Sequence, residues 1–117
     1  MAQPPSTHPS AIERTILQTL PIPELPGWES RLVLLEYPPG FKAPLHNHPR
    51  PATGYVLEGS VLSLWEGGEP ESYVAGDSFV DLDETVHLRS ENASTTDWLR
   101  MVMSYVIEVG KPNVVPL

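Results

Sequence analysis

Apolar residues in this chain fall in short runs, each closed off by proline or glycine. "WESRLVLLEY" (28–37) reads as a strand that "PPG" (38–40) stops. "TGYVLEG" (53–59) and "SVLSLWEGG" (60–68) read as the two arms of a hairpin turning at Glu58-Gly59-Ser60. "ESYVAGD" (71–77) and "SFVDL" (78–82) are two more strands, separated by a Gly-Asp turn signal. "ETVHLRS" (84–90) follows as a strand, then "ENASTTD" (91–97) as a polar loop. "RTILQTL" (14–20) suits a strand or a short helix, and "GKPNVVPL" (110–117) is a tail.

The longest apolar run, "WLRMVMSYVIEV" (98–109), has room for a helix, but its Val, Ile and Tyr content and the following Gly110 favour strand. Trp98, Arg100, Val102, Ser104 and Val106 then share one face, and Leu99, Met101, Met103, Tyr105 and Ile107 the other. One face lines the interior, and alternation alone does not say which. The 14 prolines leave no space for a long helix elsewhere. Regularly spaced short strands predict an all-β sandwich or barrel.

The 117 residues suit one domain, taken here as 11–117 behind a Pro-, Ser- and Thr-rich flexible tail over 1–10 that contains His8. Cysteine is absent, which excludes disulfides and thiolate metal sites and fits a reducing compartment. Asp plus Glu outnumber Lys plus Arg by 15 to 7, a formal charge of −8, so a nucleic-acid partner is not expected. No apolar stretch reaches membrane-spanning length, and "MAQPPSTHPS" has no secretory pattern. The expectation is a soluble cytoplasmic protein with no membrane partner.

Chemistry enters with "HNH" at 46–48. In an extended chain, positions i and i+2 face the same side, so His46 and His48 offer two imidazoles in a cis arrangement. A metal needs a further ligand from elsewhere, and His87 is the remaining histidine in structured sequence. The plainer alternatives are a chance surface pair and a hydrogen-bonded strand histidine. Arg89 stands two residues after His87, where the same parity points it inward and suits a carboxylate or enolate substrate. The favoured reading is an arginine at the barrel mouth, paired with Glu91 or Glu84, since an unpaired arginine is rarely buried. No G-x-S-x-G elbow, phosphate-cradling loop or helix-turn-helix segment is present.

The spacing around these histidines resembles the cupin family. Its first motif is G-x5-H-x-H-x3-E-x6-G, and this chain has Gly40, His46, His48, Ala52 and Gly59 at the corresponding places. Its second motif is G-x5-P-x-G-x2-H-x3-N, matched by Gly76 and His87, with Leu82, Glu84 and Glu91 replacing Pro, Gly and Asn and with Asn92 next door. The resemblance spans roughly 28–109 and implies a double-stranded β-helix, a jelly-roll barrel of two antiparallel sheets. It implies that His46, His48 and His87 ligate one divalent transition metal ion, with Fe, Zn, Ni, Mn and Cu not distinguished.

The family's glutamate position is Ala52, which has no donor atom. Among possible substitutes, Thr53 has the wrong parity, Glu58 lies too far along, and the side of Glu36 is undetermined. Asp81 and Asp83 flank the turn before His87 and read as capping or solvated groups. An open three-histidine site is therefore expected. The function implied is a metal-dependent enzyme acting on a small organic molecule, dioxygenase-like or isomerase/lyase. Water, Tyr55 or Glu36 are the proton carriers near the site, a set that favours oxygenase-like or water-mediated chemistry. The alternatives are a non-catalytic small-molecule binding or sensing cupin with weak or no metal, and a purely structural cupin. A homodimer is expected, through paired sheets or through the terminal segments 11–20 or "NVVPL".

Overall fold

The computed structural model describes residues 13–116, so the expected tail over 1–10 and His8 lie outside the described residues. The described chain forms ten strands: β1 (Glu13–Pro21), β2 (Trp28–Tyr37), β3 (His46–Asn47), β4 (Ala52–Glu58), β5 (Ser60–Trp65), β6 (Glu71–Val74), β7 (Ser78–Asp81), β8 (His87–Asn92), β9 (Leu99–Glu108) and β10 (Val115–Pro116). They make two five-stranded sheets, ordered β1-β2-β9-β4-β7 and β10-β3-β8-β5-β6, with every pairing antiparallel. This is the expected all-β jelly-roll. The segment 14–20 is strand, and both faces of β1 are exposed. Among the described residues no helix is long and apolar enough to cross a membrane.

β9 forms the spine of the first sheet. It pairs with β2 in unbroken register from Trp28↔Glu108 to Tyr37↔Leu99, and with β4 on its other edge. Its period-2 pattern decides the facing: Leu99, Met101, Met103, Tyr105 and Ile107 are all buried, so this is the inner face and the methionines pack in the core. Val33, Leu35 and Tyr37 of β2, Val56 of β4 and Val61 of β5 close around them. Burying each large apolar side chain contributes about 1.5–3 kcal/mol. Gly54 is required by this packing, because a Cβ there would overlap the Phe79 ring and come within 2.7 Å of Met103 Sδ.

The expected hairpin over 53–68 does not form. β4 pairs with β9 and β7, whereas β5 pairs with β8 and β6, so the chain changes sheets at the turn. Gly59 makes the corner with φ 84°, and a Cβ there would overlap the Trp98 carbonyl oxygen. The Gly76-Asp77 turn makes a second such crossing, from β6 to β7. Turn residues report that the chain reverses, not which sheet it enters; that is decided by closing two inner faces on one core.

Candidate metal centre

β3 is short, but both its edges are paired. His46 lies directly across from His87 of β8, and β10 covers the other edge through Pro116↔His46 and Val115↔Asn47. His48 follows at the end of β3. The three rings converge inside the barrel, with centroids 5.1 Å apart for His46–His48, 5.0 Å for His46–His87 and 6.2 Å for His48–His87. One ring nitrogen from each lies within 4.8 Å of the others. All three residues are buried, 6%, 3% and 3% exposed respectively.

Each ring is held by its other nitrogen. His46 Nδ1–H donates to the Pro44 carbonyl at 2.7 Å, and His48 Nδ1–H donates to the Asn113 carbonyl at 2.8 Å. His87 Nε2 pairs with Ser63 Oγ at 2.8 Å, and the Trp65 ring stacks on His87 at 3.7 Å and 7°. Asn113 is itself anchored by buried Arg31, whose guanidinium donates to Asn113 Oδ1 at 2.7 Å, to the Lys111 carbonyl at 2.8 Å and to Glu29 at 2.8 Å. The C-terminal segment thus orients His48 from 65 residues away in sequence.

His48 Nε2 and His87 Nδ1 are buried with no hydrogen-bond partner. Burial lowers the pKa of His46, that of His48 to about 4 and that of His87 to about 3, so all three rings are neutral at pH 7. The outer nitrogens of these neutral imidazoles are fixed by a carbonyl or, for His87, by the Ser63 hydroxyl, and the inward nitrogens of His48 and His87 are left without a partner. Such rings are a donor set that a transition metal takes. The residues present therefore fit such an ion.

A family model for the Cupin domain matches residues 33–105. The chain belongs to the cupin family. No curated protein matches it. Among solved structures, a conserved protein with a double-stranded beta-helix domain from Klebsiella pneumoniae is similar at 17% identity, over 92% of this chain and 87% of that one, with a TM-score of 0.68. The polyketide cyclase RemF from Streptomyces resistomycificus is similar at 20% identity, over 95% and 75%, with a TM-score of 0.67. An oxalate oxidase in complex with glycolate is similar at 26% identity, over 94% and 57%, with a TM-score of 0.64.

This cupin departs from its family motifs in ways the geometry explains. The β5–β8 register runs Ser63↔Ser90, Leu64↔Arg89 and then Trp65↔His87, so Leu88 is an extra residue in a bulge. The bulge reverses parity. His87, Ser90 and Asn92 all face inward, and Asn92 takes the motif asparagine's place one position late, donating to the carbonyls of Tyr37, Pro38 and Asp97. Arg89 is turned outward, where it makes two hydrogen bonds to Glu91 at 3.0 and 2.8 Å. The inward placement considered for Arg89 is not found, and the favoured pairing with Glu91 is what forms.

The other candidates also take definite positions. Tyr55 is 45% exposed on the outer face of β4, away from the histidines. Glu36 accepts a hydrogen bond from Arg100 at 3.2 Å. Thr53 and Glu58 are exposed. Asp81 is buried inside, its Oδ2 3.2 Å from His48 Nε2, and burial pushes its pKa up to about 7. The capping or solvated reading of Asp81 is overturned. A cavity of about 270 Å³ bounded by Arg50, Thr53, Val80, Ser104 and Val106 has none of the three histidines in its walls. The buried cluster is the better candidate site, because its donors converge and lack partners.

Proposed function

We propose that this cupin holds one divalent transition metal ion through His46, His48 and His87 and acts on a small organic molecule, by oxygenase-like or isomerase/lyase chemistry. The observation that carries the reading is the convergence of three neutral ring nitrogens within 4.8 Å, two of them buried and unpartnered. When bound, the ion supplies Lewis acidity or a site for a small oxygen-bearing ligand. The chain's own part is to keep the imidazoles neutral by burial, to fix their orientation through Pro44, Asn113 and Ser63, and to exclude water with the apolar wall of β2 and β9. Burial also raises the Tyr105 hydroxyl, whose ring lies 6.3 Å from His48, so it stays protonated and able to donate. Structural neighbours that include a cyclase and an oxalate oxidase lend support to small-molecule chemistry.

A second reading, a binding module without turnover, is favoured by Ala52, which supplies no donor where the family motif has glutamate. Metal analysis of the purified protein beside a His46→Ala/His48→Ala variant tests the proposal. About one equivalent of a transition metal in the parent and none in the folded variant is expected. No metal in the parent after incubation with iron, zinc, nickel, manganese and copper would sink the metal-dependent reading. The proposal includes a homodimer, supported by Ile16, Leu17 and Leu20 of β1, which are 54%, 50% and 62% exposed.

A further inference from the structure

Asp81 has no role in the family motif, yet the fold delivers it to the place where a carboxylate is missing. In the β4–β7 pairing, Ala52 and Asp81 are direct cross-strand partners. Ala52 is 3% exposed and Asp81 6%, so the two positions share the inner end of the barrel. Among the described residues, no Lys or Arg pairs with Asp81. An ionised buried carboxyl without a partner is costly, and either a proton or a cation relieves it.

The contact with His48 bears on which of the two it is. His48 gives its Nδ1 proton to the Asn113 carbonyl, so the neutral ring presents a bare lone pair at Nε2. Asp81 Oδ2 faces that lone pair at 3.2 Å without forming a hydrogen bond. Two electron-rich atoms at this separation need a proton or a metal ion between them. Two ligands each about 2.1 Å from one ion stand about 3.0 Å apart at a right angle and about 3.4 Å apart at the tetrahedral angle. The observed separation falls between these edges.

We infer that Asp81 supplies the metal-binding carboxylate that Ala52 lacks, delivered from β7 instead of β4. The inference rests on the three-histidine reading above. It turns an open all-histidine centre into a histidine–carboxylate centre, which places one negative charge on the ion and removes one open position.

Cobalt(II) is the probe, with affinity measured by chelator competition and coordination read from the visible absorption. The proteins are the parent, Asp81→Ala, Asp81→Asn and Ala52→Glu/Asp81→Ala, each checked for folding by circular dichroism. The expected result is one cobalt in the parent, affinity weakened at least about tenfold with an altered spectrum in both Asp81 variants, and recovery when Ala52→Glu restores a carboxylate from β4. Asp81→Asn keeps the side chain's size and carries the test if the alanine variant unfolds. Affinity within twofold of the parent and an unchanged spectrum in the folded Asp81 variants overturns the inference, and leaves Asp81 sharing a proton with His48. A folded parent that takes up no cobalt overturns the three-histidine reading itself, and the Asp81 ligand with it.

Discussion

The two sheets turn very different faces towards each other. From β2, β4 and β9 come Val33, Leu35, Val56, Leu99, Met101, Met103 and Ile107. From the sheet of β3, β5 and β8 come His46, His87, Ser63, Ser90 and Asn92 beside Val61 and Trp65. Groups that join the two faces include the hydrogen bond between Tyr37 Oη and Ser90 Oγ at 2.9 Å and the Asn92 amide donating to the Tyr37 carbonyl at 3.2 Å. Most of the polar wall's groups find hydrogen-bond partners, the inward nitrogens of His48 and His87 excepted, and the apolar wall supplies the burial that folds the barrel. The same apolar wall lowers the local dielectric and so keeps the imidazoles neutral. The apolar core is drawn mainly from one sheet and the candidate metal-binding histidines from the other, with Asp81 the acidic group that crosses the division.

The division breaks most visibly on the apolar side. Leu99 is fully buried, and Leu99→Ala should cost about 2–5 kcal/mol, read as a lowered urea midpoint with an unchanged slope. The folded fraction should still take up metal at the parent's stoichiometry. Loss of metal at full foldedness would show that the two walls are not separable.

Acid acts on the polar side with a smaller effect. His48 and His87 titrate at about 4 and about 3 in the fold, below the ordinary 6.5, so the unfolded chain gains protons first as pH falls. Their contribution to stability is complete above pH 6.5 and is lost on acidification through pH 4 for His48 and towards pH 3 for His87. Asp81 runs the other way. Its pKa is raised from 3.8 to about 7, so the folded chain retains a proton that the unfolded chain sheds, and its contribution declines as pH rises through that window. Two histidines outweigh one carboxyl, so the urea midpoint of the metal-free protein should fall between pH 6.5 and pH 5. The fall should be steeper in Asp81→Asn, where the opposing group is gone. A flat profile in both proteins would mean that these groups are solvated rather than buried.

Which parts of this were readable in the sequence follows the same division. β2 and β9 are regular, so alternation found the strands, and the convergence of His46, His48 and His87 followed from motif spacing. Parity failed at Arg89 because a bulge at Leu88 leaves no mark in the residue pattern until the partner strand's register is known. The crossing from β4 to β5 reads as a hairpin in the sequence for a related reason, since turn chemistry at Gly59 is the same whichever sheet receives the next strand. Asp81 was weighed and set aside because it sits beside a turn. Only the cross-strand pairing with Ala52 reveals it as a buried neighbour of His48. Arg31 and Asn113 escaped notice because their link to the site runs through a backbone carbonyl.

The smallest expected effect tests whether the polar wall also stores strain. Glu84 occupies the motif's glycine position and has φ 55°, in the left-handed region, while its N–H donates to the His48 carbonyl at 3.1 Å. A side chain in that conformation costs about 1–2 kcal/mol, and glycine's greater freedom in the unfolded chain offsets about 0.5–1 kcal/mol of the relief. Glu84→Gly should therefore stabilise by roughly 0.5 kcal/mol, a small rise in melting temperature. Glu84→Ala is the control, since it removes the charge and keeps the Cβ. A glycine variant no more stable than the alanine variant would show that the turn is relaxed. A more stable one would mean that the fold tolerates strain beside His48 to hold the β7–β8 turn against the candidate metal centre.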